Sequence, residues 1–333
     1  MSHPSRTETI QSMTPMGWRK ALISGGAALG AAATFNALVG RNVEPLENPL
    51  DGDERWFHWR GHRVAYTRRG VGPPILLVHG IGLTAWSSEW RSNVDALSAD
   101  HTVYAIDLLG FGRSDRPAIR YSARLYLALL GDFANQVVGS PLVLIATHLS
   151  AAYAIVLGAS DPGRFPALAL IAPTGLVRLH KAPSTGGDLA RYAVDSPVLG
   201  TAVFNALVSR RALRSHLDRL YLESDLVTDD VVDAAYATTH QPGAKYAPSA
   251  FLSGHLNIDV RRALRRLSQP VLIVWGEQAV DPPVDDVRGF RSLRPDVEIA
   301  ILDPAGSLPH GERPDQFNDL VTSFLARLRA PVG

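Results

Sequence analysis

From residue 55 onward the chain alternates short apolar runs with longer amphipathic stretches, and this rhythm restricts the fold more than any other feature. "PILLVHG" at 74–80, "TVYAIDL" at 102–108, "PLVLIA" at 141–146 and "ALALIA" at 167–172 are each followed by a helix-like stretch. "PVLIVWG" at 270–276 and "VEIAILDP" at 297–304 add two late strands. Strands alternating with helices predict an α/β fold, a mostly parallel sheet with helices on both faces. Ahead of them "RWFHWRGHRVAYTRR" reads as a hairpin around Gly61. Between Pro173 and Pro270 the strand rhythm stops and helical text takes over, including "TDDVVDAAYATTH", which opens on Thr228 as a helix N-cap. That insertion predicts a helical cap between two strands. The chain closes on an amphipathic helix in which Phe317, Leu320, Val321, Phe324, Leu325 and Leu328 repeat at helical spacing.

The expected division is therefore an N-terminal segment over 1–41, a core over 42–174 and 268–333, and a cap over 175–267. At 46% hydrophobic and 20% charged residues, the chain can bury a sizeable core. Its 33 basic and 32 acidic side chains cancel almost completely, which gives nucleic acid no electrostatic foothold. With no cysteine, disulfides, thiolate metal sites and a Cys nucleophile are excluded. His180, His216, His240 and His255 lack the compact spacing of metal ligands, so neither a metal nor a cofactor is expected.

The first forty residues differ in kind. Ala21–Gly40 carries no charge, and that length nearly suffices for a bilayer-crossing helix. Arg19 and Lys20 precede it and an acidic run follows, which predicts a membrane anchor through residues 21–40 with the main domain extracytoplasmic. "AAAT" at 31–34 leaves a cleaved signal and a secreted product open. Asn36 and the many alanines and glycines leave open a helix docked on a cytoplasmic domain.

"PPILLVHGIG", "YAIDLLGFGRSDRP", "WGEQAVDPP" and "PAGSLPHGERPDQF" together resemble, in order and spacing, the α/β-hydrolase superfamily in its cap-bearing branch of esterases, haloalkane dehalogenases and haloperoxidases. The resemblance covers roughly residues 55 to 330. It implies that Ile81, after the "HG" turn, and Leu149, after the nucleophile position, supply oxyanion-binding amides. It also implies that His79 is structural and that Asp107 holds its own loop.

At the catalytic positions the chain departs from the family. The nucleophile elbow is small-x-nucleophile-x-small, and "ATHLS" puts His148 at its centre between Ala146 and Ser150. Pro162 then falls 14 residues on, where the family carries a proline. In "GEQA" the acid position holds Ala279, with Asp281 two residues later, and in "GSLPHGERP" the catalytic histidine position holds Ser307. Ser-Asp-His thus becomes His148, Ala279 and Ser307, a degenerate triad. Ser150 is an alternative nucleophile and Asp281 an alternative acid.

Two functions follow. In one, the protein is a pseudoenzyme on a hydrolase scaffold that binds a small apolar molecule between core and cap, with Trp86 and Trp90 and the cap aromatics Phe204, Tyr221 and Tyr236 as candidate lining residues. In the other, His148, with Ser307 in hydrogen-bonding reach, acts as nucleophile or base on an ester, thioester or lactone, or in a lyase reaction. Histidine also tolerates the left-handed backbone of an elbow better than most residues, so His148 has a purely conformational explanation as well.

Overall fold

The computed structural model describes residues 15–41 and 43–329. Eight strands form one sheet: β1 (Asp53–Trp59), β2 (His62–Arg69), β3 (Pro74–Val78), β4 (Thr102–Ile106), β5 (Val143–Thr147), β6 (Leu168–Ile171), β7 (Val271–Gly276) and β8 (Glu298–Leu302). They lie in the order β1-β2-β4-β3-β5-β6-β7-β8. The first two form the expected hairpin, with Trp59 opposite His62 across the turn at Arg60 and Gly61, and β2 meets β4 antiparallel. The other pairings are parallel, with Val78 opposite both Ile106 and Ala146, and Ile171 opposite Val274.

Burial explains which runs take the centre. β6 and β7 are buried along their whole length, whereas β1 at one edge buries only two of its seven residues, Phe57 and Trp59. A strand covered on both faces has no reason to alternate apolar and polar side chains, so the continuous apolar runs become the inner parallel strands. The helix His148–Ser160 is also buried nearly all round, and the C-terminal helix Pro314–Arg329 contributes the fully buried Phe317 and Val321.

Between β6 and β7 lie six α-helices, among them Thr185–Asp195, Leu199–Leu207, Arg210–Leu220 and Asp229–Thr239. Thr228 caps the last of these, its hydroxyl accepting from the amide of Val231. Phe204, Val208, Leu213, Leu217 and Val232 form a small apolar cluster of their own, separate from the sheet core.

The N-terminal segment includes a helix over Pro15–Gly40, while residues 1–14 lie outside the described residues. Its break in apolarity has a use. Asn36 donates to the carbonyl of Val198 at 2.9 Å and accepts from the amide of Asn205 at 3.1 Å, which fastens this helix to Leu199–Leu207. Among the described residues no helix is long and apolar enough to cross a membrane.

Candidate active site

The carboxyl ends of the parallel strands converge, as they do wherever an open α/β sheet binds ligands. β3 ends at the turn that holds Gly80 and Ile81, β5 delivers His148, and the loops after β7 and β8 deliver Asp281 and Ser307. Gly80, Ile81, Trp86, Glu89, His148, Leu149, Thr174 and Asp281 line a cavity of about 290 Å³, to which the inserted segment contributes His216, Leu217 and Tyr221.

The elbow is built as its sequence pattern requires. His148 sits at φ 50°, in the left-handed region, where a bulky side chain is strained and held only by its surroundings. Ala146 and Ser150 are completely buried on either side of it. The hydroxyl of Ser150 donates to the carbonyl of His79 at 2.7 Å, so this serine ties the elbow to the neighbouring turn and does not line the cavity. His79 supports the same turn. Its Nδ1 donates to the carbonyl of Gly80 at 2.6 Å and its Nε2 accepts from the amide of Leu108 at 3.0 Å. That pattern requires a neutral ring, and burial pushes the His79 pKa down. Asp107, fully buried, accepts from the amides of Ser87 and Arg113 and from the Arg113 guanidinium, fixing the following loop.

His148 reaches Ser307, but through the backbone. Its Nε2 lies 3.1 Å from the Ser307 carbonyl oxygen, which can only accept, so Nε2 carries the proton and Nδ1 keeps the lone pair. Burial lowers the His148 pKa, partly opposed by the charge of Glu89. The hydroxyl of buried Ser307 accepts from the amide of Asp281 at 3.4 Å. Asp281 is solvent-exposed at the cavity edge, and Ala279 is buried where the family acid would stand.

Glu89 is a site residue that the sequence reading missed. It belongs to the short turn Ser87–Trp90, yet its side chain is only 11% exposed and it lines the cavity. Its Oε2 accepts from the amide of Gly80 at 3.0 Å, and Oε1 lies 3.3 Å from Nε2 of His310, outside hydrogen-bonding geometry. Burial pushes the carboxyl up, but His310 and His148 more than reverse this and hold its pKa down to about 2. A Cβ on Gly80 would stand 3.3 Å from Nδ1 of His148 and 3.7 Å from Oε2 of Glu89, so the imidazole and carboxylate flank the same glycine. The one sequence signal was its setting, a lone charge in "WSSEW" directly after the oxyanion turn.

The other aromatics divide. Trp86 and Tyr221 line the cavity, whereas Trp90 packs on His310 at 4.9 Å and Tyr236 stacks on His240 at 3.7 Å. Phe204 belongs to the separate apolar cluster. Glu312 accepts from the amides of Gly306 and Leu308 and, through its second oxygen, from Leu222, bracing the Ser307 loop against the inserted helices. Among the described residues no group of three or more His, Cys, Asp or Glu could hold a metal ion.

The profile of the Alpha/beta hydrolase family matches residues 75–320, which takes in the HG turn, the elbow and the loops bearing Asp281 and Ser307. The chain belongs to that family. Among related α/β-hydrolases, 2-hydroxy-6-oxo-6-(2'-aminophenyl)hexa-2,4-dienoic acid hydrolase of Metapseudomonas resinovorans is 25% identical over 289 residues, covering 82% of this chain and 91% of its own. Two solved α/β-hydrolase structures share the fold. A serine hydrolase involved in carbazole degradation superimposes with a TM-score of 0.68 at 23% identity, over 82% of this chain and 98% of its own. A membrane phospholipase A, described as a bacterial virulence factor, gives 0.67 at 21% identity, over 94% of this chain and 98% of its own.

Proposed function

We propose that this α/β-hydrolase binds a small, largely apolar molecule in the cavity between the sheet and the inserted helices, and that it does not operate as an ordinary serine hydrolase. One observation carries this: the elbow residue is His148, and its N–H is committed to a backbone carbonyl. The ordinary mechanism needs a hydroxyl at the elbow, an imidazole to take its proton and a buried carboxylate to hold that imidazole. Here Ser150 is turned away, Ser307 lies on the far loop, and the acid position is an alanine. Glu89 adds a second obstacle, because a fixed negative charge beside the Gly80–Ile81 turn opposes the oxyanion that those amides would otherwise stabilise. The cavity itself keeps the character of a ligand site, apolar walls with a few convergent polar groups.

A second reading draws support from Glu89. With Nε2 protonated, His148 offers Nδ1 as a base near a carboxylate, which suits proton abstraction or water activation on an ester, thioester or lactone. One pair of assays separates the two. Activated acyl esters and a fluorescent apolar probe are offered to wild type, His148→Ala and Ala234→Trp, the last filling the cavity from its wall. The binding reading expects background hydrolysis throughout and probe binding lost only in Ala234→Trp; hydrolysis well above background that disappears in His148→Ala establishes the second reading instead.

We also propose that the 1–41 segment associates the protein with a membrane, the main domain lying outside the cytoplasm, and that 175–267 acts as a cap over 42–174 and 268–333. The support is the charge-free stretch Ala21–Gly40 and the exposure of Leu29, Phe35 and Leu38 on its helix. In addition, the membrane phospholipase A resemblance spans 94% of the chain, a share that residues 43–329 alone cannot supply. Membrane fractionation of cells expressing the full chain or residues 43–333 tests this, with only the full chain expected in the membrane pellet.

A further inference from the structure

We infer that two of the inserted helices, Thr185–Asp195 and Leu199–Leu207, dock on the surface of a lipid bilayer and form one apolar face with the helix Pro15–Gly40. The inference rests on the membrane reading above and extends it from the 1–41 segment to the inserted helices.

Eight of the fifteen large apolar side chains exposed among the described residues lie on these three helices. The three pack in a row, Leu199–Leu207 touching both of the others. Single exposed apolar side chains are ordinary, but a contiguous group marks a surface that something covers. Leu199, Val203 and Leu207 recur at i, i+4 and i+8 along one exposed stripe, while Phe204 is buried.

The helix Thr185–Asp195 is built inside out. Its charged residues turn inward: Asp188 accepts from Nε2 of His255 at 3.1 Å, Arg191 donates to Asp195 at 2.6 Å, and Asp195 accepts from the hydroxyl of Ser249 at 2.6 Å. Leu189 and Tyr192 are left outside. A helix that faces water carries its charges on the outer side instead. No charged residue is exposed on Leu199–Leu207, or between residues 24 and 40.

Two observations identify the cover as lipid. The face runs on into residues 24–31, which are exposed all round on a charge-free helix, so it continues the very segment assigned to the membrane. Cations also stand at its margins. Arg19 and Lys20 precede the charge-free stretch, and exposed Arg41 and Arg211 follow Pro15–Gly40 and Leu199–Leu207, where anionic head groups would meet them. An apolar face bordered by cations is how a helix lies in a membrane interface, and a tyrosine such as Tyr192 suits head-group depth.

Because the chain has no cysteine, a fluorophore on a single introduced one reports a single place. Leu38→Cys, Leu189→Cys, Val203→Cys and Val71→Cys, each in the full chain, are labelled and mixed with vesicles of equimolar phosphatidylcholine and phosphatidylglycerol carrying a spin-label quencher on an acyl chain. Val71 is exposed in the turn ahead of β3, at the end of the parallel strands away from the cavity. The expected result is about a twofold or greater loss of fluorescence at positions 38, 189 and 203 and little at 71. Quenching at 38 alone overturns the inference and leaves the membrane reading of the 1–41 segment standing. No quenching anywhere overturns both, and quenching at 71 as well means contact without a defined face, which also overturns the inference. Labels at 189 and 203 that ignore lipid but respond to rising protein concentration assign the face to a second copy of the chain and overturn it too. Without any label, Val203→Glu combined with Leu207→Glu, at exposed positions that the fold tolerates, is expected to bind the same vesicles at least about fivefold more weakly, and unchanged binding overturns the inference.

Discussion

Nε2 of His148 donates to the main-chain carbonyl of Ser307 across 3.1 Å, joining the end of β5 to the loop after β8. A carbonyl orients an imidazole as a carboxylate does, but with only a partial charge, so it favours the imidazolium weakly. Burial outweighs it and lowers the pKa of His148, favouring the neutral ring. The unfolded chain therefore binds the proton more tightly, and the stabilising contribution is fully present above pH 6.5 and is lost as the pH falls below it. His148→Gln, which can still donate to Ser307, is expected to reduce the loss of stability between pH 7 and pH 5. Urea midpoints for the two proteins across that range give the answer. A midpoint difference that does not change with pH counts against the assignment.

The elbow backbone makes a separate prediction. At φ 50° a residue with a Cβ is strained and glycine is not. A left-handed non-glycine residue costs about 1–2 kcal/mol, and glycine gives back part of that gain through its larger unfolded-state entropy. His148→Gly is thus expected to be more stable than His148→Ala by about 1 kcal/mol, the reverse of the order at an ordinary helical position. Chemical denaturation of both variants checks it, and greater stability of the alanine variant would show that the elbow does not impose the left-handed angle.

Glu89 titrates with the opposite charge. Its pKa lies near 2 against an ordinary value of 4.5, so the folded state holds the ionised form in preference to the unfolded chain. A depressed carboxyl contributes stability that is present above about pH 4.5 and disappears as the pH falls toward 2. The size is roughly 3 kcal/mol at neutral pH. Glu89→Gln is expected to lower stability at pH 7 and to lose less than wild type on acidification to pH 3. Parallel losses in the two proteins would mean that other carboxyls carry the acid sensitivity.

What the sequence could and could not reveal follows from which atoms do the work. The apolar runs became β3 to β8, the turn at Gly61 became the β1–β2 hairpin, and the final periodic stretch became Pro314–Arg329, because burial writes itself into side-chain periodicity. The elbow on His148 was legible for a related reason, since the tight turn demands the small residues Ala146 and Ser150. Glu89 was not legible: a carboxylate in a polar turn is solvated by default, and only the folding of Ser87–Trp90 under Gly80 buries it. The partner of His148 was hidden as well. The sequence directs attention to the hydroxyl of Ser307, whereas the contact is made by its carbonyl, a group every residue possesses. Trp90, Phe204 and Tyr236 show the same limit, being aromatic at plausible spacings and yet packed elsewhere.

Asn36 lies in the charge-free stretch Ala21–Gly40 of its helix, and its two hydrogen bonds to Val198 and Asn205 hold that helix against the inserted helices. Leu29, Phe35 and Leu38 on the same helix stay exposed, so apolar contact alone does not explain the docking. Each hydrogen bond contributes about 0.5–1.5 kcal/mol net, and Asn36→Ala removes both. Local opening of this helix should then become about tenfold more frequent while the sheet is unaffected. Hydrogen exchange is the direct measurement, with faster exchange expected over residues 24–40 and 199–207 and unchanged protection in β5 and β6. Asn36→Asp, which can still accept from Asn205 but cannot donate to Val198, should fall between wild type and alanine. Uniform exchange in all three proteins would mean that the helix is held by something other than Asn36.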